Sequence, residues 1–395
     1  MACGSGYRDC MTQVQTLAGK EIVIGITGSI AAVEVVKLIH ALRRKGAVIQ
    51  PVMSQAATGI IHPNALTYSA GRPAITRLSG MVEHVGYCGD GGTADLFLIA
   101  PCTANTIGKI ASGIDDTPVT TFATTALGSG VPVLIVPAMH HSMYRHPAVL
   151  ENLERLKRWG VGVIDPVIEE AKAKIAGMEE IVLSCERHVL NYPLKDRKVL
   201  ITSGSCREPV DDVRILTTRS SGQMGRELAL HAFRLGADVT VVHNDTFPCV
   251  RNVHAETGHD MQEQVIRHLT EHGADIYISA AALSDFAPVK FKGKIPSGKE
   301  RSIELKTLPK LLDKVMSQYK PITVAFKMGW DVESAAKSLL IKGATMVVAN
   351  TPDAMGSEHG SFVLYTKDHM LTVNGSKEEA AVAIWNALIP GKTDG

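Results

Sequence analysis

The sequence predicts an α/β protein of two doubly wound, Rossmann-like domains, and three observations carry that prediction. Two distant stretches begin alike: "LAGKEIVIGITGS" (17–29) and "LKDRKVLITSGS" (194–205) each pass from a basic lead-in through a continuous apolar strand into a Gly/Ser turn. A strand that is apolar at successive positions is buried on both faces, as in a parallel sheet covered by helices. Strand-like and helix-like patterns then alternate along both halves, the rhythm of doubly wound folds. Between the halves lies the polar, proline-containing "NYPLKDR" (191–197), which reads as a linker. At ~100–200 residues per domain, the 395 residues divide into a first domain over 1–190, the linker 191–197 and a second domain over 198–395.

In the first half, "EIVIGIT" (21–27) is the opening strand, and "AAVEVVKLIHALRRKG" (31–46) has the three- and four-residue apolar spacing and terminal glycine of an amphipathic helix. "VIQPVMS" (48–54), "DLFLIAP" (95–101), "VPVLIVPAM" (131–139) and "VGVIDP" (161–166) supply further strands, separated mostly by helical pattern. The second half repeats the rhythm with "KVLITSG" (198–204), "ADVTVVHN" (237–244), "ADIYISAAA" (274–282), "TVAFKMG" (323–329) and "TMVVAN" (345–350). "GHDMQEQVIRHLTEHG" (258–273) and "VESAAKSLLIKG" (332–343) are helices between them.

Composition excludes several classes of function. The chain is 45% hydrophobic and 21% charged, with a formal net charge of +1 and no long run of either sign. It lacks the electrostatic footprint for nucleic acid or an anionic membrane, so neither is expected as a partner. No apolar run approaches the ~18–20 residues of a membrane span, and the first seventeen residues lack the apolar core of a signal peptide. Seven scattered cysteines without a CxxC pair argue against a disulfide framework or structural zinc. A cytoplasmic protein acting on small molecules is expected.

In doubly wound sheets, ligands bind beyond the carboxyl ends of the strands. Gly28 and Ser29 follow the first strand at a helix start, where free N–H groups and the helix dipole suit a phosphate. A plain strand-to-helix turn would look the same, since this is neither GxGxxG nor a P-loop. "APCTANTIGKIASGIDD" (100–116) adds Thr103, Asn105 and Thr106 after a second buried strand, and Ser54 follows a third. "PAMHHSMYRHP" (137–147) places His140 beside His141; adjacent loop histidines do not converge on one ion as an i,i+4 helical pair does.

These motifs, in this order, resemble those of the flavin-containing cysteine decarboxylases. From about residue 19 to 388 the chain resembles the bifunctional phosphopantothenoylcysteine decarboxylase/phosphopantothenate–cysteine ligase family of coenzyme A synthesis. "GITGSIAAVE" corresponds to its GxSGxIAAYK pattern, and "APCTANTIGKIASGIDDT" to APxTANTIxKIAxGIxDN. The resemblance implies an N-terminal flavoprotein domain that holds FMN through Gly28, Ser29, Ser54, Thr103, Asn105 and Thr106. It makes His84, in "MVEHVGYCGDGGTADL", the catalytic acid/base. It also makes "PAMHHSMYRHP" a substrate loop, with Met139, His140 and Met143 as contacts. His140 stands where the family has asparagine, and can likewise donate a hydrogen bond to a carboxylate. The family's cysteine-bearing clamp loop corresponds to "DPVIEEAKAKIAGMEEIV" (165–182), which has no cysteine. Lys172 and Lys174 in it face either the substrate phosphate or solvent.

The second half resembles the ligase domain, which activates a carboxylate as an acyl-nucleotide. "ITSGSCREPVDDVRILTTRSSGQMGRELA" (201–229) follows ITAGPTREPxDPVRxISNxSSGKMGxxLA, with Thr218 for an asparagine and Gln223 for a lysine. "AALSDFAPVKFKGKIPSG" (281–298) follows the ADYxP…KI segment, and "TVAFKMGWD" and "VVAN" follow later motifs, with Gly329 and Trp330 as departures. By this resemblance Gly204, Ser205, Ser221, Gly222, Asp285, Phe326 and Asn350 bind the nucleotide. Lys294 is the catalytic lysine over its triphosphate, and Asp285 is the candidate metal ligand. The implied partners are 4'-phosphopantothenate, cysteine and CTP with Mg2+. The family's trimeric decarboxylase and dimeric ligase contacts imply a homo-oligomer, with a dodecamer as the closed form. Two alternatives stand beside this reading: the same fold with one activity lost, which the substitutions motivate, and an NAD-type oxidoreductase, which the absent GxGxxG fingerprint disfavours.

Overall fold

The computed structural model describes residues 14–389 apart from 170–171, 191, 299, 301, 331, 352–356 and 358. The chain forms two compact units, divided after Leu190.

The first unit is built on five parallel strands, β1 (Glu21–Ile26), β2 (Val48–Met53), β3 (Leu96–Cys102), β4 (Val133–Pro137) and β6 (Gly162–Val163), in the order β2-β1-β3-β4-β6. Strand residues alternate between faces, and here both faces are core. Ile22, Ile24 and Ile26 of β1 pack with Leu38, Ile39 and Leu42 of the helix Val35–Arg44. Val23 and its neighbours Phe97 and Ile99 pack on the other side with Phe122 of the helix Pro118–Ser129. That double burial is why β1 and β3 read as unbroken apolar runs. Three short strands, β5 (Met139–His140), β7 (Val167–Glu169) and β8 (Lys172–Lys174), form a separate antiparallel sheet in the order β5-β8-β7.

The second unit has an eight-stranded sheet. Six parallel strands run in the order β13 (Arg251–His254), β12 (Asp238–His243), β9 (Lys198–Thr202), β14 (Ile276–Ser279), β17 (Ile322–Met328) and β18 (Met346–Asn350). Val199 and Ile201 face a core that includes Leu228 and Trp385, while Leu200 faces Val242, Tyr277 and Val265. The Trp385 indole is fully buried and donates to the Leu228 carbonyl at 3.0 Å, tying the helix Lys377–Leu388 to the helix Gln223–Arg234.

In the second unit two features depart from parallel pairing. β19 (His359–Tyr365) and β20 (Met370–Ser376) extend the sheet antiparallel. Only residues 366–369 join them, closed by the Thr366 N–H donating to the His369 carbonyl at 2.9 Å. A connection that short permits only antiparallel pairing, because a parallel crossover needs a dozen residues or more. Two antiparallel ribbons, β10 (Arg207–Pro209) with β11 (Ile215–Thr217) and β15 (Phe286–Pro288) with β16 (Leu305–Thr307), also interrupt the alternation.

Each sheet has a point where strand order reverses: between β1 and β3 in the first unit, and between β9 and β14 in the second. A crevice opens beyond the carboxyl ends of the strands at such a point.

Candidate functional site

At the first switch point the Thr27 hydroxyl, 1% exposed, donates to the Pro101 carbonyl at 2.7 Å and accepts from the Thr103 N–H at 3.1 Å. It clasps the turn after β1 to the turn after β3. The resulting cavity, about 490 Å3, is lined by Gly28, Ser29, Ser54, Thr103, Asn105, Thr106, Met139 and Met143. Residues separated along the chain thus line one cavity. Gln55, Ala56, Lys109, Thr117, Thr120 and Ala138 also line it. Thr117 carried a signal that was passed over: Thr-Pro is an N-cap followed by proline at the first helical position, and it forms a capping box with Thr120.

The hydroxyls divide by task. Thr103 Oγ1 accepts from the Thr106 N–H at 3.3 Å, and Ser54 Oγ accepts from the Ala57 N–H at 3.3 Å. Both are N-caps of their own helices, interactions worth about 1 kcal/mol each, and so orient the turns around the cavity. Ser29 makes no capping bond. Gly28 meets a steric requirement: a Cβ there would lie 2.6 Å from Ala56 Cβ.

The cavity lining does not include His84 or His140. His84 lies on the short helix Glu83–Cys88, its ring edge-on to Phe122 with centroids 6.4 Å apart. Phe122 is on the helix whose first residues line the cavity. The His84 Nδ1 is buried and has no hydrogen-bond partner among the described residues. His140 is exposed, with Nδ1 3.2 Å from Ser142 Oγ, and its strand pairs with β8 so that Met139 lies opposite Ala173. Within the cysteine-free segment expected to correspond to the clamp loop, β7 and β8 pair antiparallel, and β8 lies against the Met139–His140 strand. Lys174 is exposed there, and the Lys172 side chain lies outside the described residues. The nearby Cys102 is fully buried, and burial holds its thiol far above the ordinary range. It is a packing residue. Burial, then the charge of Asp165, raises the Tyr144 phenol.

The second switch point holds a glycine arrangement invisible as a contiguous motif. Gly204 (φ +83°) follows β9 and Gly222 (φ +72°) precedes the helix Gln223–Arg234. A Cβ on Gly222 would meet Gly204 Cα at 3.2 Å, and one on Gly225 would meet Ser203 Oγ at 2.2 Å. These are the jobs of a fingerprint's glycines: a tight turn, close backbone approach and close helix–strand packing. Residues 205–221, which include the β10–β11 ribbon, are inserted between the first glycine and the second. A cavity of about 140 Å3 beside them is lined by Ser220 to Gly225, Ala280 to Ala282, Phe326, Lys327, Met328, Asn350, Phe362 and Lys377. Ser221, Gly222, Phe326 and Asn350 are thus brought together. Ser205 bridges to Ala282, and its carbonyl accepts from Asn244 Nδ2 at 3.1 Å. The Thr218 hydroxyl is buried without a hydrogen-bond partner among the described residues.

Asp285 and Lys294 are exposed and lie outside that lining. The loop carrying Lys294 is anchored by Asp211, whose carboxylate accepts from the backbone N–H groups of Ile295 at 3.0 Å, Val213 at 2.7 Å and Arg214 at 2.7 Å, and from the Arg214 guanidinium. Asp212 accepts from the Gly293 N–H at 3.1 Å and pairs with Lys290 at 2.8 Å. Neither aspartate stood out as a positioning residue in the sequence, because their partners in the loop, Ile295 and Gly293, lie 84 and 81 positions away. Among the described residues, no group of three or more His, Cys, Asp or Glu side chains is placed to hold a metal ion, and no helix is long and apolar enough to cross a membrane.

Comparison with known proteins places both halves. Residues 11–190 match the Flavoprotein family and residues 194–390 the DNA/pantothenate metabolism flavoprotein C-terminal domain. The chain is 43% identical over 391 residues to the coenzyme A biosynthesis bifunctional protein CoaBC of Thermococcus kodakarensis, covering 95% of this chain and 96% of that protein. It is 33% identical over 392 residues to the protein of that name from Vibrio vulnificus, covering 94% and 95%. Among solved structures, a CoaBC C-terminal domain is 30% identical with a TM-score of 0.44, covering 51% of this chain and 97% of that one. With relatives this similar matched along nearly their whole length, the chain belongs to the family of bifunctional coenzyme A biosynthesis enzymes, a flavoprotein domain followed by a ligase domain.

Proposed function

We propose that the second unit joins cysteine to 4'-phosphopantothenate at the expense of CTP, and that the first unit decarboxylates the product to 4'-phosphopantetheine with FMN. The observation that carries this reading is the cavity at the β1/β3 switch point, where the sequence-expected flavin residues converge. Its volume of about 490 Å3 lies within the ~300–1,000 Å3 of small-molecule sites. The Gly28 turn packs too closely on Ala56 to admit a side chain, which suits a cradle for a phosphate.

An N-acylated cysteine has no free amine with which to build an electron sink, and bound FMN supplies one by accepting the thiol's electrons. The chain's own residues orient and protonate. Gly28, Ser29, Ser54, Thr103, Asn105 and Thr106 hold the cofactor, while Met139, His140 and Met143 hold the substrate. His84 moves the proton through its imidazole, whose Nδ1 lacks a partner among the described residues.

In the second unit the substrate carboxylate attacks the nucleotide's α-phosphorus and pyrophosphate leaves. The cysteine amine then attacks the acyl carbon and displaces the nucleoside monophosphate. Gly204, Ser205, Ser221 and Gly222 cradle the phosphates, Phe326 and Asn350 contact the nucleotide, and Lys294 closes over the developing charge. Mg2+ would be held by the nucleotide's own phosphate oxygens with Asp285 as the one carboxylate, and would neutralise phosphate charge without a protein cage. The choice of CTP rests on the resemblance alone. Exposed Val213, Ile215, Phe286 and Phe291 on the ribbons of the second unit suit a subunit contact, and a dodecamer is the assembly proposed. Cys88, Cys102, Cys185 and Cys206 are buried free thiols, which suits a reducing cytoplasm.

The test is mass spectrometry of products formed from 4'-phosphopantothenate, cysteine, CTP and Mg2+. Appearance of 4'-phosphopantetheine is expected. Accumulation of phosphopantothenoylcysteine would leave a ligase only.

A further inference from the structure

The cavity beside Gly222 has an electrostatic character that its sequence motif does not announce. Its lining contains two lysines, Lys327 and Lys377, and no carboxylate among the described residues. Lys327 is exposed, whereas Lys377 is only 7% exposed. Lys377 opens the helix Lys377–Leu388, and its Nζ lies 3.4 Å from the Oε1 of Gln223, which opens the helix Gln223–Arg234. Two helix N-termini, each with partial positive charge, therefore meet at one ammonium group. A lysine in a first helical turn opposes the helix dipole. In the same turn Glu379 accepts from the Ser376 N–H at 2.7 Å, and Glu378 faces Arg234 at 3.8 Å. The volume, about 140 Å3, is below the ~300–1,000 Å3 that encloses a whole small-molecule ligand. It suits the anionic part of one.

We propose that Lys377 supplies the phosphate-binding charge of this cavity, in the place that the family motif gives to a lysine at position 223. The inference rests on the nucleotide reading of the second unit, and it names which side chain meets the phosphates. Gln223 itself carries no charge, and its contact with Lys377 lets the amide oxygen aim the ammonium into the cavity. The charge thus comes from the far end of the chain onto the helix start that the motif marks.

The test is calorimetric binding of CTP and of cytidine to the full-length protein. Lys377→Gln should weaken CTP binding by roughly tenfold or more, the scale of a lost charge-assisted hydrogen bond. Cytidine binding should stay unchanged, because the nucleoside has no phosphate. The exchanged variant Gln223→Lys/Lys377→Gln should recover most of the loss, since it returns an ammonium to the same contact. A purely structural role for Lys377 would weaken both ligands and would not be rescued by the exchange. Unchanged CTP affinity in Lys377→Gln, or no recovery in the exchanged variant, overturns the inference. If the wild-type protein binds CTP no better than cytidine, the nucleotide reading fails first, before any substitution is made.

Discussion

Replacing Gly28 with alanine should strip flavin from the first unit while leaving ligation intact. The added Cβ would sit 2.6 Å from Ala56 Cβ and 3.4 Å from the Ala56 carbonyl carbon. Carbon atoms rest at ~3.5–4.0 Å, so the two turns must part by about 1 Å. Ala56 has no rotamer by which to yield, and both turns line the cavity. Gly28 is not among the glycines with positive φ, so the cost is steric and not one of backbone conformation. Forced insertion of a methyl group into tight packing costs about 1–3 kcal/mol. If that appears as lost cofactor affinity, the FMN dissociation constant rises about 5- to 150-fold. The assay is fluorescence titration of flavin-free protein with FMN, with Gly108→Ala as the control. A Cβ on Gly108 meets nothing nearer than Asn152 Nδ2 at 3.7 Å, and alanine favours its helix. Wild-type flavin affinity in Gly28→Ala, or equal losses in both variants, would refute the steric reasoning.

Three further outcomes are expected. His84→Asn should abolish carbon dioxide release while phosphopantothenoylcysteine still forms, and undiminished release would remove His84 from the mechanism. Lys294→Gln should cripple ligation alone; a variant that ligates normally would show that another cation serves the triphosphate. Asp211 gives a pH-dependent result. Hydrogen bonds from Ile295 above all, then from Val213 and Arg214, outweigh burial and hold its carboxyl well below the ordinary aspartate value of 3.8. A depressed folded-state pKa contributes stability that is complete above the unfolded value and lost as pH falls toward the folded one. Asp211→Asn should therefore lower the thermal midpoint near neutrality and open the 290–298 loop to protease. The gap from wild type should narrow below about pH 3.8; a gap of constant width down that acid limb would mean the carboxylate charge is not what anchors the loop.

Much of this architecture was legible because its signals are short-ranged. The apolar runs of β1, β3 and β9, the three- and four-residue spacing of their helices and the Gly/Ser turns each lie within a dozen or so residues, where backbone hydrogen bonding imposes its period. The motifs around Gly28, Thr103 and Gly222 could be placed at strand ends for the same reason. The antiparallel pairing of β19 and β20 was missed, although a four-residue turn forces it, because "HGSFVLY" alone does not name its neighbour.

What the sequence by itself determined, then, was the class of fold and the family, and it pointed to the strand-end turns that line the two cavities. The tertiary structure decided how those turns combine. It set Gly204 against Gly222 across an inserted ribbon, so that a glycine fingerprint absent from the linear sequence exists in space. It assigned the Ser54 and Thr103 hydroxyls to capping, left His84 off the cavity lining, and brought Lys377 to Gln223 across 154 positions. Such contacts have no local period to betray them. They arise only when separate helices and strands bury their apolar faces together, and the polar groups at their ends meet where that packing leaves them.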